Sequence, residues 1–309
     1  MLANSIKPGD TIGVVAPSEI ITEEDIEQIE NSKKFFEGLG YKIKFGKYVS
    51  TNSTGYGAKA KEKAEDINNM FKDKEINAII CAEGGWNSNS TFDYIDYNII
   101  KENPKIFCGY SDITSLSNTI YSQTGLITFH GPNFKSISDW KEIDKYNAEE
   151  LINRFQNKSL NLGRKDDEFI VIQEGTANGK LVGGNLSLTT GLISGKYKID
   201  FEDKILFIEE LGYETNPSFA SNFLYQMKQN GVFDKINGIW IGNYEHESGI
   251  ALEKILLDVL DGEYNFPIIK SNNFGHCERK ITIPIGTKAR IDTFKDKKII
   301  LLEECLKNF

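Results

Sequence analysis

Ser111 stands in the stretch Lys105-Ile106-Phe107-Cys108-Gly109-Tyr110-Ser111-Asp112-Ile113-Thr114, where an apolar run meets Gly-Tyr-Ser and an amphipathic segment begins at once. A strand-to-helix turn reads this way when it lifts a serine above the carboxyl end of a sheet. A serine there can be a nucleophile, with N–H groups of the helix start facing a developing oxyanion. The same pattern describes a plain serine N-cap. It departs from the hydrolase elbow G-x-S-x-G, because Ile113 occupies the second glycine position. Gly84-Gly85 follows a second apolar run. Two adjacent glycines make a turn, and they also let backbone approach a substrate and offer it an N–H. Asn87-Ser88-Asn89-Ser90 comes next and either caps a helix or binds a polar ligand.

A serine nucleophile needs a base, and only three histidines are available. His246 lies in the polar loop Asn-Tyr-Glu-His-Glu-Ser and reads as solvated. His130 closes an apolar strand before Gly131-Pro132 and reads as a structural histidine or a secondary site group. His276, in Asn273-Phe274-Gly275-His276-Cys277, reads as a loop residue between two strands, where function is often mounted. Its neighbour Cys277 cannot readily share the site as nucleophile, since adjacent side chains of an extended chain diverge. For a carboxylate, Leu206-Phe207-Ile208-Glu209-Glu210 is an apolar strand ending in two acids that point to opposite sides. The Cys and His residues are scattered and H-E-x-x-H is absent, so no metal constellation competes.

The elements that must position these residues alternate over the first 130 positions. Thr11–Ala16, Tyr41–Phe45, Ile76–Ala82, Ile106–Cys108 and Leu126–Phe129 read as strands. Between them, helices read from Thr22, over Ala58–Phe71, over Phe92–Lys101 and from Asp112 to Tyr121. Repeated βα units of this length predict a parallel sheet covered on both faces, with ligands at the carboxyl ends of its strands. Residues 131–168 are polar, carry Trp140 and one helix (Ala148–Gln156), and read as a crossing segment. Beyond them, Phe169–Gln173, Lys204–Glu209, Gly238–Ile241, Pro267–Lys270, Lys280–Ile283 and Lys298–Leu302 read as strands. The last three are too closely spaced for helical crossovers, which predicts antiparallel pairing. The expected division is 1–135, 136–168 and 169–309: a parallel α/β domain with the serine, a crossing segment, and a mixed α+β domain with Glu and His.

The chain has 309 residues and a net charge of −9, so phosphate backbones and anionic lipid are disfavoured partners. No apolar run approaches the roughly 20 residues of a membrane span. The N-terminus has no signal-like apolar region and the four cysteines form no C-x-x-C pair, which predicts a cytoplasmic protein without disulfides.

Taken together and in order, several segments resemble the LD-carboxypeptidase and microcin C self-immunity serine peptidases. They are Gly84-Gly85-Trp86-Asn87-Ser88-Asn89, Pro104-Lys105-Ile106-Phe107 running into Gly109-Tyr110-Ser111-Asp112-Ile113-Thr114, Gly183-Gly184-Asn185-Leu186, Leu206-Phe207-Ile208-Glu209-Glu210, and Gly275-His276 with Ile283-Pro284-Ile285-Gly286. The resemblance implies a flavodoxin-like amino-terminal domain, a usually dimeric assembly, and acyl transfer without metal or cofactor. On matching positions it implies Ser111 as nucleophile, His276 as base, Glu209 as the residue orienting it, and the amides of Gly85 and Asp112 as oxyanion hole. Gly84, Trp86 and Asn87 become candidates for substrate binding.

Asn87 stands where LD-carboxypeptidases tend to have glycine, which points to the immunity branch and a peptidyl- or aminoacyl-nucleotide amide as substrate. The alternative is a muropeptide tetrapeptide. The immunity branch often has a longer, Trp-bearing insert before Gly-Gly-Asn, whereas here Ser159–Gln173 is short and lacks Trp. Two other readings differ in kind. A non-catalytic binding module would use Ser111 only as a cap. An α/β-hydrolase esterase would continue parallel βα units after residue 200, against which the closely spaced strands from 267 to 302 argue.

Overall fold

The computed structural model describes residues 1–137, 142–164 and 166–308, so Trp140 lies outside the described residues. The strands are β1 Thr11–Val15, β2 Lys42–Phe45, β3 Ile76–Cys81, β4 Ile106–Gly109, β5 Thr128–His130, β6 Ile170–Gln173, β7 Thr176–Asn185, β8 Lys204–Glu209, β9 Gly238–Ile241, β10 Ile268–Lys270, β11 Ile283–Ile285, β12 Lys288–Asp292 and β13 Ile299–Leu301. The helices are α1 Ile26–Gly38, α2 Ala60–Lys72, α3 Tyr97–Glu102, α4 Ile113–Thr124, α5 Glu142–Phe155, α6 Leu186–Thr190, α7 Pro217–Gln229 and α8 Leu252–Leu260.

Two sheets organise the chain. The first has the order β11-β5-β4-β3-β1-β2, parallel except for β11, which runs antiparallel to β5. The second has the order β13-β12-β7-β8-β9-β10-β6, with a parallel centre from β7 to β10 and antiparallel edges. The fold is therefore a parallel α/β layer joined to a mixed sheet. Strand β8 is covered on both faces: Leu206 and Ile208 join the larger core, Ile205 and Phe207 the smaller one. This is why it reads as an unbroken apolar run.

Several elements differ from the sequence reading. The segment expected as one helix over Phe92–Lys101 is a 3-10 turn, Ser88–Tyr94, followed by α3, whose start is fixed by Asp96 accepting from the Asn98 and Ile99 amides. Strand β7 escapes hydrophobic patterning because three of its ten residues are glycine. The last three expected strands do not pair with one another. β10 lies between β9 and β6, β11 crosses to the first sheet, and β13 pairs with β12. Parallel βα units also continue past residue 200, since α7 and α8 connect β8, β9 and β10. Over residues 204–270 the strands are therefore spaced for helical crossovers.

Helix α4 starts directly after Ser111 and lies against both sheets. Thr114, Ser115, Ser117, Asn118 and Thr119 are all buried. Two of them dock the helix on β7: Asn118 Nδ2 donates to the Gly183 carbonyl at 2.8 Å and its Oδ1 accepts from the Gly183 amide at 3.2 Å. Thr114 Oγ1 accepts from the Asn185 amide at 3.1 Å. Glycine is required there, because Gly183 has φ +124° and a Cβ would stand 2.0 Å from the Phe207 carbonyl oxygen. The Gly-Gly-Asn segment is thus the seat on which the helix following Ser111 rests.

Candidate active site

Strand β4 delivers Ser111 at its carboxyl end. The residue has φ +61°, a left-handed conformation that costs a non-glycine residue about 1–3 kcal/mol. The N-cap position of α4 is Asp112, itself helical at φ −53° and ψ −28° and without a side-chain cap bond. The Ser111 hydroxyl does not cap the helix. It lies 3.0 Å from Nε2 of His276, whose Nδ1 lies 2.7 Å from Oε2 of Glu209. The same Glu209 oxygen accepts from the His276 amide at 3.1 Å. The carboxylate fixes the tautomer, with the proton on Nδ1 and Nε2 free to accept from Ser111.

Glu209 ends β8 and is fully buried, whereas the His276 side chain keeps 14 % exposure. Gly275 permits this approach: its φ is +91°, and a Cβ would stand 2.3 Å from Oε2 of Glu209. Burial alone pushes the His276 pKa down, and the charge and hydrogen bond of Glu209 more than offset it, leaving the imidazole above its ordinary 6.5. Glu209 moves the opposite way. Burial raises its pKa, but the His276 partner brings it below the usual carboxylate value.

Beside Ser111 runs the turn after β3. A Cβ on Gly84 would stand 2.9 Å from Cβ of Ser111, and Gly85 has φ +116°. No hydrogen bond among the described residues uses the amide of Gly85 or Asp112. The turn is held from behind. Asn87, left-handed at φ +67°, accepts from the buried Lys63 Nζ at 2.7 Å. Asp112 Oδ2 accepts from Ser18 Oγ at 2.6 Å and the Ser88 amide at 2.7 Å. Trp86 is 62 % exposed at the rim.

Ser111, His276, Gly84 and Gly85 line a cleft of about 270 Å³. Glu19, Glu83 and Glu214 also line it, and no Lys or Arg does so among the described residues. Burial and neighbouring Glu83 hold Glu19 above the usual carboxylate value, while Glu83 pairs with Lys135 at 2.7 Å. A larger groove of about 1500 Å³, lined by residues such as Tyr121, Lys180 and Asp200, contains none of this group.

The other candidates fall away from the cleft. His246 Nδ1 pairs with Ser248 Oγ at 2.8 Å. The Cys277 thiol donates to the Arg279 carbonyl at 2.8 Å, and burial pushes its pKa up to about 12. Glu210 is buried like Glu209 but faces elsewhere, accepting from Asn185 Nδ2 at 2.7 Å and the Ser187 amide at 2.9 Å. No motif in the sequence marks Ser18, Asn133 or Lys63. Ser18 follows β1 and Asn133 follows β5, where it accepts from the Tyr110 amide at 3.1 Å. The carboxyl-end rule for parallel strands points to both.

Comparison with known proteins agrees across the chain. Residues 12–131 match the LD-carboxypeptidase N-terminal domain and residues 178–291 the LD-carboxypeptidase C-terminal domain. A probable murein peptide carboxypeptidase of Bacillus subtilis is 33% identical over 96% of this chain and 93% of its own. The microcin C7 self-immunity protein MccF of Escherichia coli is 30% identical over 99% of this chain and 97% of its own. Among solved structures, an MccF-like protein from Bacillus anthracis superposes with TM-score 0.89 at 30% identity, covering 98% of this chain and 99% of that one. MccF in complex with glutamyl sulfamoyl guanosine gives TM-score 0.90 at 27% identity, covering 99% of each chain.

Proposed function

The chain belongs to the LD-carboxypeptidase family and is a carboxypeptidase, and on that premise we propose that Ser111, His276 and Glu209 carry its hydrolysis. The observation that supports the reading most directly is the chain of contacts from Ser111 Oγ through His276 to Glu209, at 3.0 and 2.7 Å. His276 Nε2 takes the Ser111 proton as Oγ attacks the amide carbonyl. The tetrahedral oxyanion rests on the free amides of Gly85 and Asp112. His276 then protonates the leaving amine, and a water molecule, deprotonated by the same imidazole, releases the acyl group. Glu209 stays ionised and stabilises the imidazolium.

In this reading Ser111 comes from the segment 1–135 and its partners from 169–309, with 136–168 joining them, in a cytoplasmic homodimer. The substrate is a peptidyl- or aminoacyl-nucleotide amide, supported by the aminoacyl sulfamoyl nucleoside bound to a structural neighbour and by Asn87 after Gly-Gly-aromatic. Gly84, Trp86 and Asn87 would border it. A second reading, a muropeptide tetrapeptide, is favoured by the acidic lining of the cleft, which suits an ammonium group better than a phosphate.

Mass spectrometry of products distinguishes them. Each substrate is incubated with native protein and with Ser111→Ala. Native protein is expected to cleave one of the two, and the variant neither, while retaining its fold and ligand binding. Undiminished cleavage by Ser111→Ala refutes the assignment.

A further inference from the structure

His130 ends β5, with Gly109 of β4 opposite it on one side and Ile283 of β11 on the other. Its side chain is 1% exposed. The ring lies 6.2 Å from Tyr110, 5.5 Å from Phe207 and 6.2 Å from Phe274, centroid to centroid. Tyr110 directly precedes Ser111, Phe207 stands two residues before Glu209, and Phe274 two before His276. The imidazole is therefore wedged beneath the three segments that meet at the site.

Among the described residues neither ring nitrogen of His130 has a hydrogen-bond partner, and neither does Oε1 of Glu209. Buried polar atoms are almost always satisfied, by protein or by an ordered water. A spacer among three aromatic rings needs no nitrogen, and phenylalanine would fill it without polar atoms to desolvate. Burial pushes the His130 pKa down to about 4 against the pull of the Glu209 carboxylate, so near neutral pH the ring carries one donor and one acceptor.

We propose that His130 is a positioning residue: its ring N–H donates, through one buried water, to Oε1 of Glu209 and leaves Oε2 aimed at His276. The proposal rests on the reading of Ser111, His276 and Glu209 as the reacting group. It gives both unpartnered groups a partner at once. It also explains why a histidine, and not another aromatic, stands at this junction.

The native protein supplies the first test. With ¹⁵N-labelled histidine, His130 is expected as a single neutral tautomer between about pH 5.5 and 8; a mixture of tautomers, or titration in that range, overturns the proposal. His130→Phe keeps a ring and removes both nitrogens. It is expected to lower kcat about tenfold to a hundredfold with KM nearly unchanged, and to broaden and move upfield the proton resonance on Nδ1 of His276. His130→Gln, which returns a donor, is expected to recover part of both. Unchanged kcat and resonance in His130→Phe, or no recovery in His130→Gln, overturns the link. If Ser111→Ala hydrolyses as native protein does, the reading of the site fails instead. The tautomer and the Nδ1 resonance still report the His130–Glu209 link without any turnover.

Discussion

At the scale of residues, His276 is held between burial, which disfavours its charge, and Glu209, which favours it, and the carboxylate prevails. The proposed base must be neutral to take the serine proton, so kcat/KM is expected to rise with pH through a midpoint above 6.5, the ordinary histidine value. Glu209→Gln removes the charge and leaves burial. The midpoint should then move to lower pH while the rate falls roughly 10⁴-fold, because the tautomer is no longer held. A pH–rate profile of both proteins checks the sign; a midpoint that stays or rises in Glu209→Gln contradicts the electrostatic account. Asn87 illustrates a quieter constraint. Its left-handed backbone suits Asn or Gly far better than a β-branched residue.

At the scale of elements, the site depends on close approaches that glycine alone permits and on the docking of α4. Gly275→Ala would place a Cβ 2.3 Å from Oε2 of Glu209 at a residue with φ +91°. The carboxylate must move off His276, so kcat should fall at least tenfold with much of the fold retained, as read by kinetics beside circular dichroism. Asn118→Ala removes both side-chain bonds to Gly183 and leaves that buried backbone unsatisfied. A loss of about 1–3 kcal/mol is expected in urea unfolding. Activity should fall as well, since α4 begins just after Ser111 while β7 neighbours the strand that carries Glu209. Full stability in Asn118→Ala would show that packing alone seats the helix.

At the scale of the whole molecule, the two inner histidines respond to pH with opposite sign. His130 has a folded pKa near 4 against an ordinary 6.5, so the unfolded chain binds its proton first. Its contribution is present above 6.5 and is lost as pH falls toward 4, by roughly 3 kcal/mol in all. His276 has a raised folded pKa, so its contribution is full below 6.5 and lost as pH rises through the folded value. Urea midpoints measured near pH 4.5 and 6.5 should therefore separate less in His130→Phe than in native protein; an equal separation would mean that His130 is protonated in the folded state.

The parallel strands of the first sheet are legible in the sequence because β1, β3 and β4 are short, largely apolar runs and β2 alternates, and local patterning reports both directly. The Gly-Tyr-Ser turn and the Gly-Gly turn are visible for the same reason. Strand β7 and the route of β11 are not. One is too rich in glycine to show alternation, and the other takes its place from a neighbour more than 150 positions away. Sequence by itself determined the parallel α/β layer, the motif set of the family, and the short list of groups able to do chemistry. The resemblance pointed to Ser111, His276 and Glu209, but residue chemistry and spacing left open what the tertiary structure decided: that Ser111 faces His276 and does not cap its helix, that Glu209 and not Glu210 meets the imidazole, and that His130 lies beneath all three. Those outcomes depend on where two sheets meet, and no local pattern encodes a distance between residues so far apart in the chain.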